Sequence, residues 1–137
     1  MTGRRFAALS SAAVQVIFAV ENLSRSLEFY ERAFAWPRNP RIDFANYVEL
    51  HPPDGGSLGL YEREGFAATV GAEPADMPTG RVAPAYLYVR VDDASVTASA
   101  VQAAGGRPLS PLTRREWGED AAWFADPDGN VVAVAQR

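Results

Sequence analysis

The strongest constraint on this chain is that part of it is written twice. Pro53-Asp54-Gly55 returns as Pro127-Asp128-Gly129, an offset of 74 (127 − 53), and Val20-Glu21-Asn22-Leu23-Ser24 overlies Val91-Asp92-Asp93-Ala94-Ser95 at an offset of 71 (91 − 20). Self-similarity at a nearly constant spacing points to one structural unit used twice. Its closing element is most legible near the C-terminus. Trp123-Phe124 leads into Asp126-Pro127-Asp128-Gly129-Asn130 and the β-branched Val131, Val132 and Val134 lead out, which is the pattern of two strands joined by a tight turn. The earlier copy sets Pro52-Pro53-Asp54-Gly55-Gly56 between Tyr47-Val48-Glu49-Leu50 and Leu58-Gly59-Leu60-Tyr61.

In chain order, residues 1–11 read as a loose arm. Residues 14–20 form a strand by β-branched content, apolar on both faces except at Gln15. Asn22 or Ser24 caps a helix whose buried face carries Leu23, Leu27, Tyr30 and Phe34, and Pro37 ends it. Residues 40–61 give a short strand or turn and then the first hairpin. Gly65, Gly71, Pro74, Pro78 and Gly80 mark a connecting stretch with little periodicity. Residues 85–91 open the second unit. Asp92 or Asp93 caps a helix with Val96, Ala100, Val101 and Ala104, and Gly105-Gly106 closes it before strand signals resume at 108–113. The expected organisation is one domain over 1–137, with module one at about 12–62, a linker at 63–83 and module two at about 84–137.

Several function classes are excluded by composition. With 13 Lys+Arg against 17 Asp+Glu and no basic cluster interleaved with aromatics, neither nucleic acid nor a membrane is an expected partner. The absence of cysteine removes disulfides, thiolate nucleophiles and thiolate metal sites together. The apolar run 12–20 is too short to span a bilayer, and the cytoplasm is the default location. No serine sits in a nucleophile-elbow context, and the glycine pairs are turn and cap residues rather than a phosphate loop.

The set Val20-Glu21-Asn22-Leu23-Ser24-Arg25-Ser26-Leu27-Glu28-Phe29-Tyr30, the stretch from Val91-Asp92-Asp93 to Gly105-Gly106, and Trp117-Gly118 ahead of Asp126-Pro127-Asp128-Gly129-Asn130 resembles the vicinal oxygen chelate superfamily, which includes glyoxalase I, extradiol dioxygenases and bleomycin-resistance proteins. The resemblance covers roughly 14–135. It implies an α+β fold of two tandem βαβββ modules forming a cupped mixed sheet with helices outside, commonly in a homodimer that shares its clefts. It also implies metal-ligand positions at Gln15, Gly59, Tyr86 and Ala133, whose offsets of 71 (86 − 15) and 74 (133 − 59) repeat those of the duplication. Glycine and alanine have no side-chain donor, and a neutral Gln with a phenol of pKa about 10 competes poorly with water for a divalent cation. The expectation is therefore no metal and no other cofactor. One alternative donor set remains open: Glu49 and His51 lie two apart on one strand face and, with Gln15, would make an unconventional three-ligand site. Otherwise His51 is a rim residue beside Pro52.

Pairing the first hairpin so that partner numbers add to 108 sets Tyr47 opposite Tyr61 and Glu49 opposite Gly59. Pairing the second so that they add to 256 sets Trp123 opposite Ala133. Tyr86, Tyr88 and Arg90 share a face by alternation. On the face that the family uses as its concave one, Tyr47, Tyr61, Tyr86, Tyr88 and Trp123 would line a cleft, with Gly59 and Ala133 leaving space at its floor and Arg90 and Glu49 adding polar anchors. Trp117, with Gly118 permitting a sharp turn, would fold over the cleft. The competing reading treats these aromatics as cross-strand packing and Trp117 as closing the edge of the core. The lining favours a binding protein for a flat, partly aromatic small molecule such as an antibiotic. The alternatives are a glyoxalase-like or dioxygenase-like enzyme with the atypical metal site, and a subunit that uses the fold only for association.

Overall fold

Each half of the chain folds into a sheet of its own. The computed structural model describes residues 13–42 and 44–137, so the arm read at 1–11 lies outside the described residues. Strand β1 (Gln15–Val20) leads into helix α1 (Leu23–Phe34). Asn22 caps that helix, its Oδ1 accepting from the Arg25 N–H at 3.0 Å. The helix buries Ser26, Leu27, Phe29, Tyr30 and Ala33 and stops where Ala35 turns left-handed (φ 57°), just before Trp36-Pro37. Strands β2 (Tyr47–Leu50) and β3 (Ser57–Glu62) complete a sheet of order β1-β3-β2, with β1 parallel and β2 antiparallel to β3. The helix between the halves is α2 (Arg63–Val70). The second half repeats the plan through β4 (Tyr86–Val91), α3 (Ala94–Ala103), β5 (Arg107–Arg114), β6 (Asp120–Ala125) and β7 (Val131–Gln136), in the order β4-β7-β6-β5.

Both hairpin registers agree with those read from the sequence: Tyr47 faces Tyr61 and Glu49 faces Gly59, while Trp123 faces Ala133. Asn22 and Asp93 are the caps. Two features differ from the expected plan. Among the described residues the first unit shows no full strand between helix and hairpin, but the bridges Arg38 to Leu50 and Phe44 to Tyr47. Pro37 and Pro40, which cannot donate to a ladder, flank the place where that strand would run. The stretch 63–83 also begins with α2, a helix that buries none of its residues completely and so carries no apolar periodicity.

Strand alternation divides the side chains between two faces. Leu58, Leu60, Val132, Val134, Ala122 and Phe124 point toward α1 and α3, which pack on each other, and join Val20, Phe29, Tyr30 and Val101 in one core. Each large apolar side chain buried there contributes about 1.5–3 kcal/mol. The residues between them face the other way.

The repeated turn joins the halves. Asp126 is buried; its Oδ2 accepts from the Tyr30 hydroxyl at 2.6 Å and its Oδ1 accepts from the N–H groups of Asp128 and Asn130, each at 2.9 Å. Asp128 receives the Glu21 N–H at 2.8 Å, the Ser26 hydroxyl at 2.7 Å and Arg25 at 3.1 Å, a carboxylate placed where the positive end of α1 favours it. Burial lifts the Asp126 carboxyl from 3.8 to about 6, although the Tyr30 and backbone donors oppose the shift. A carboxyl that holds its proton more tightly folded than unfolded adds stability below its unfolded value and withdraws it as pH rises through its folded one. Relative to Asp126→Asn, the wild-type protein should thus lose on the order of 2–3 kcal/mol of unfolding free energy between about pH 4 and 6.5. Urea unfolding across that range checks this, and parallel profiles would contradict it.

Candidate functional site

The face turned away from the helices gathers polar and aromatic side chains in two groups. In the first half, Glu49 is central. Its Oε1 accepts from the Asn39 amide at 3.1 Å and from His51 Nε2 at 2.5 Å, and its Oε2 accepts from the Tyr47 hydroxyl at 3.3 Å. The Asn39 amide, then the Gln15 amide and the His51 ring, hold the carboxyl down at about 2. Partial burial and the adjacent Glu49 charge push the Tyr47 phenol up to about 12. Gly59 is what lets Tyr47 lie there: a Cβ at that position would come within 2.5 Å of Tyr47 Oη and 2.9 Å of Ile17 Cγ1. Tyr61 packs edge-on to Tyr47 (5.2 Å between centroids) and bonds through its hydroxyl to Thr69 of α2 at 2.9 Å. Gly65 gives the Tyr61 ring room, so α2 sits against this face.

The second half carries an aromatic pad. Trp123 is at its centre, edge-to-face with Tyr86 (5.8 Å, 88°) and Trp117 (5.9 Å, 89°) and 6.2 Å from Tyr88. The Trp117 indole N–H donates to the Tyr88 hydroxyl at 3.0 Å, and that hydroxyl donates to Glu119 at 2.6 Å. Arg90 closes the chain, pairing with Glu119 at 2.8 Å while its guanidinium lies 5.0 Å from the Tyr88 ring centre. Arg90 and Tyr88 together lower the Glu119 carboxyl below its ordinary value, so it stays charged. Gly118, at φ 94°, makes the tight turn that presents Trp117. Trp117 and Tyr86 are each 53% exposed, a large apolar surface left open to solvent.

The structure brings Gln15, Tyr47, Glu49, Gly59 and Tyr61 together on the first sheet, and Tyr86, Tyr88, Arg90, Trp117, Trp123 and Ala133 on the second. The open floor expected at Gly59 and Ala133 is a correction: Gly59 lies under Tyr47, and Ala133 is fully buried between its register neighbours Tyr88 and Trp123. Small residues here let rings lie close to the sheet instead of leaving a hollow. Tyr61 lies on this face with its hydroxyl bonded to Thr69 of α2. A cavity of about 620 Å³ runs along β4, lined by Tyr88 and Arg90 and also by Val16, Trp36, Leu58, Leu87 and Val89; the Tyr86, Trp117 and Trp123 rings do not line it. Sequence reasoning missed Asn39, Glu119 and Arg115. The available signal for Glu119 was that Tyr88 and Arg90, both donors on one face, needed an acceptor.

The donor set at the family's metal positions does not fit a metal. Gly59 and Ala133 offer no donor atom, and among the described residues no three His, Cys, Asp or Glu side chains group as ligands. The alternative set is brought together: His51 Nε2 lies 2.5 Å from Glu49 Oε1, and the Gln15 amide hydrogen-bonds the same carboxyl.

The profile of the Glyoxalase/Bleomycin resistance protein/Dioxygenase superfamily matches residues 12–134. The chain belongs to this superfamily. It is 27% identical over 124 residues to the uncharacterized protein YraH of Bacillus subtilis (strain 168), covering 88% of this chain and 94% of that one. Among solved structures, a glyoxalase-related enzyme from Fulvimarina pelagi superimposes with a TM-score of 0.77 at 22% identity, covering 94% of this chain and 89% of that one. A protein of unknown function from Agrobacterium tumefaciens str. C58 gives 0.71 at 25% identity, covering 100% and 97%. These superfamily likenesses establish the fold. No helix among the described residues is long and apolar enough to cross a membrane.

Because the Asn39 amide contributes most to holding Glu49 charged, Asn39→Ala should raise the Glu49 carboxyl from about 2 toward its ordinary 4.5, read by carboxyl ¹³C NMR titration. A value that stays near 2 would contradict the assignment.

Proposed function

We propose that this superfamily member is a small-molecule binding protein that holds a flat, partly aromatic ligand, such as an antibiotic, on the Tyr86, Tyr88, Trp117 and Trp123 pad, without a metal or other cofactor. The observation that carries this reading is the half-exposed pair Trp117 and Tyr86, standing on rings fixed from below by Glu119 and Arg90. Fixed rings cost little entropy to engage, and each aromatic contact is worth about 0.5–1.5 kcal/mol beyond burial. Three or four such contacts suffice for micromolar affinity. The superfamily's name covers drug-binding members as well as enzymes, and the missing donors at Gly59 and Ala133 favour the former over a glyoxalase-like or dioxygenase-like reaction.

A second copy of the chain, closing over this face, and a cytoplasmic location belong to the same reading. The exposed Ile17, Tyr86 and Trp117 support the homodimer, since apolar surface of this kind is what an interface or a ligand covers.

Titrating a panel of planar aromatic antibiotics while following tryptophan fluorescence tests the proposal. At least one should quench with a micromolar Kd, and Tyr86→Ala should weaken that binding at least tenfold, about 1.4 kcal/mol. A panel without a binder, or a binder indifferent to Tyr86→Ala, would refute the pad as the site.

A further inference from the structure

One arginine on the pad makes no ion pair among the described residues. Arg115 lies with its guanidinium carbon 4.7 Å from the centre of the Trp123 ring. Its Nε donates to the Ala121 carbonyl at 3.1 Å, and its Nη2 donates to that carbonyl at 2.9 Å, to the Ser110 hydroxyl at 2.9 Å and to the Pro111 carbonyl. Ser110 stands opposite Trp123 in the β5–β6 register, so the hydroxyl and the indole share the face over which the guanidinium lies. All of these acceptors are neutral.

The neighbouring arginines are accounted for. Arg90 pairs with Glu119 at 2.8 Å, and Arg114 pairs with Asp120 at 3.0 Å. Among the described residues Arg115 makes no ion pair, and both Nη1 hydrogens lack an acceptor. A half-buried guanidinium held rigidly by its Nε and Nη2, with one amino group to spare, is set up to receive one oxygen of an anion with little further ordering. Fixing the 110–121 loop would account for the Nε and Nη2 bonds, but it needs no unpaired charge beside the ring. The first half of the face offers an anion nothing, because its own charged group is the Glu49 carboxylate.

We infer that Arg115 is the anion-recognising residue of the pad, so that the preferred ligands are aromatic acids whose ring lies against Trp117 and Trp123 and whose carboxylate reaches Arg115 Nη1. This rests on the aromatic pad being the binding surface and adds the ligand's charge. The chain's net charge of −4 gives a carboxylate no general attraction, so a preference for the acid reads Arg115 itself.

The probes are 1-naphthoate and 1-naphthamide, alike in shape and differing in charge, titrated against tryptophan fluorescence at low ionic strength. The acid should bind at least tenfold tighter than the amide, and added salt should weaken the acid alone. In Arg115→Met the advantage of the acid over the amide should disappear, whatever change the two share. Equal affinities in the wild-type protein would overturn the inference and leave the aromatic reading intact. Binding of neither probe would overturn both. A preference that survives Arg115→Met would also overturn it, by assigning the charge contact to Arg90. If Arg115→Met loses cooperative melting, the wild-type Arg115 guanidinium ¹⁵N resonances decide instead: a shift with naphthoate and none with naphthamide supports the inference, and no shift with either refutes it.

Discussion

The two halves depend on one turn. Asp126 lies inside the protein and is tolerated there because the Tyr30 hydroxyl and two backbone N–H groups satisfy it; a buried carboxylate without such partners costs several kcal/mol. Asp128, two residues on, completes the first turn of α1 from outside. The bonds from Tyr30, Glu21 and Ser26 to this turn join positions 96 to 107 residues apart, so the helix near the start of the chain is finished by a turn near its end. The earlier copy of the turn is looser: Asp54 receives only the exposed Arg137, at 2.7 Å, and Arg137 also pairs with the exposed Asp92 ahead of α3. The two copies of Pro-Asp-Gly therefore differ, and only the second bonds a helix of the other unit directly.

Once the helices are strapped on one side, the opposite face of each sheet is free to carry chemistry. The two faces have diverged. The first is a polar knot around a carboxylate fixed by an amide, a phenol and an imidazole, with α2 lying over part of it. The second is a set of rings braced by an Arg90–Glu119 pair and topped by Arg115. The first face offers a polar cluster and the second half-exposed indole and phenol rings with apolar area. Division of labour between the copies follows from which residues each kept beside its small one, Gly59 in the first and Ala133 in the second.

Much of the fold was legible in the sequence because it rests on local rules. The turn residues set both registers, and the period of two put Leu58 and Leu60 on one face and Gly59 and Tyr61 on the other. Capping chemistry located both long helices. What escaped was non-local. Helix α2 has no buried stripe, and its reason for being there is the Tyr61 ring against Gly65. The missing strand of the first unit shows only as two prolines. At the site, alternation found the rings but not their partners: Asn39, Arg115 and Glu119 come from irregular or edge segments, where position follows from tertiary packing. The same limit made Gly59 and Ala133 read as empty floor, since sequence gives the size of a residue and not what lies on top of it.

Whether the rings of the second face or a chelated ion form the working site is decided by a calorimetric titration of chelator-treated protein with zinc, nickel, manganese and ferrous iron, run beside Glu49→Ala. No stoichiometric binding is expected in either protein, because Gly59 and Ala133 supply no side-chain donor. Tight binding of one metal per chain that disappears with Glu49→Ala would contradict the aromatic site and move the chemistry to the first face.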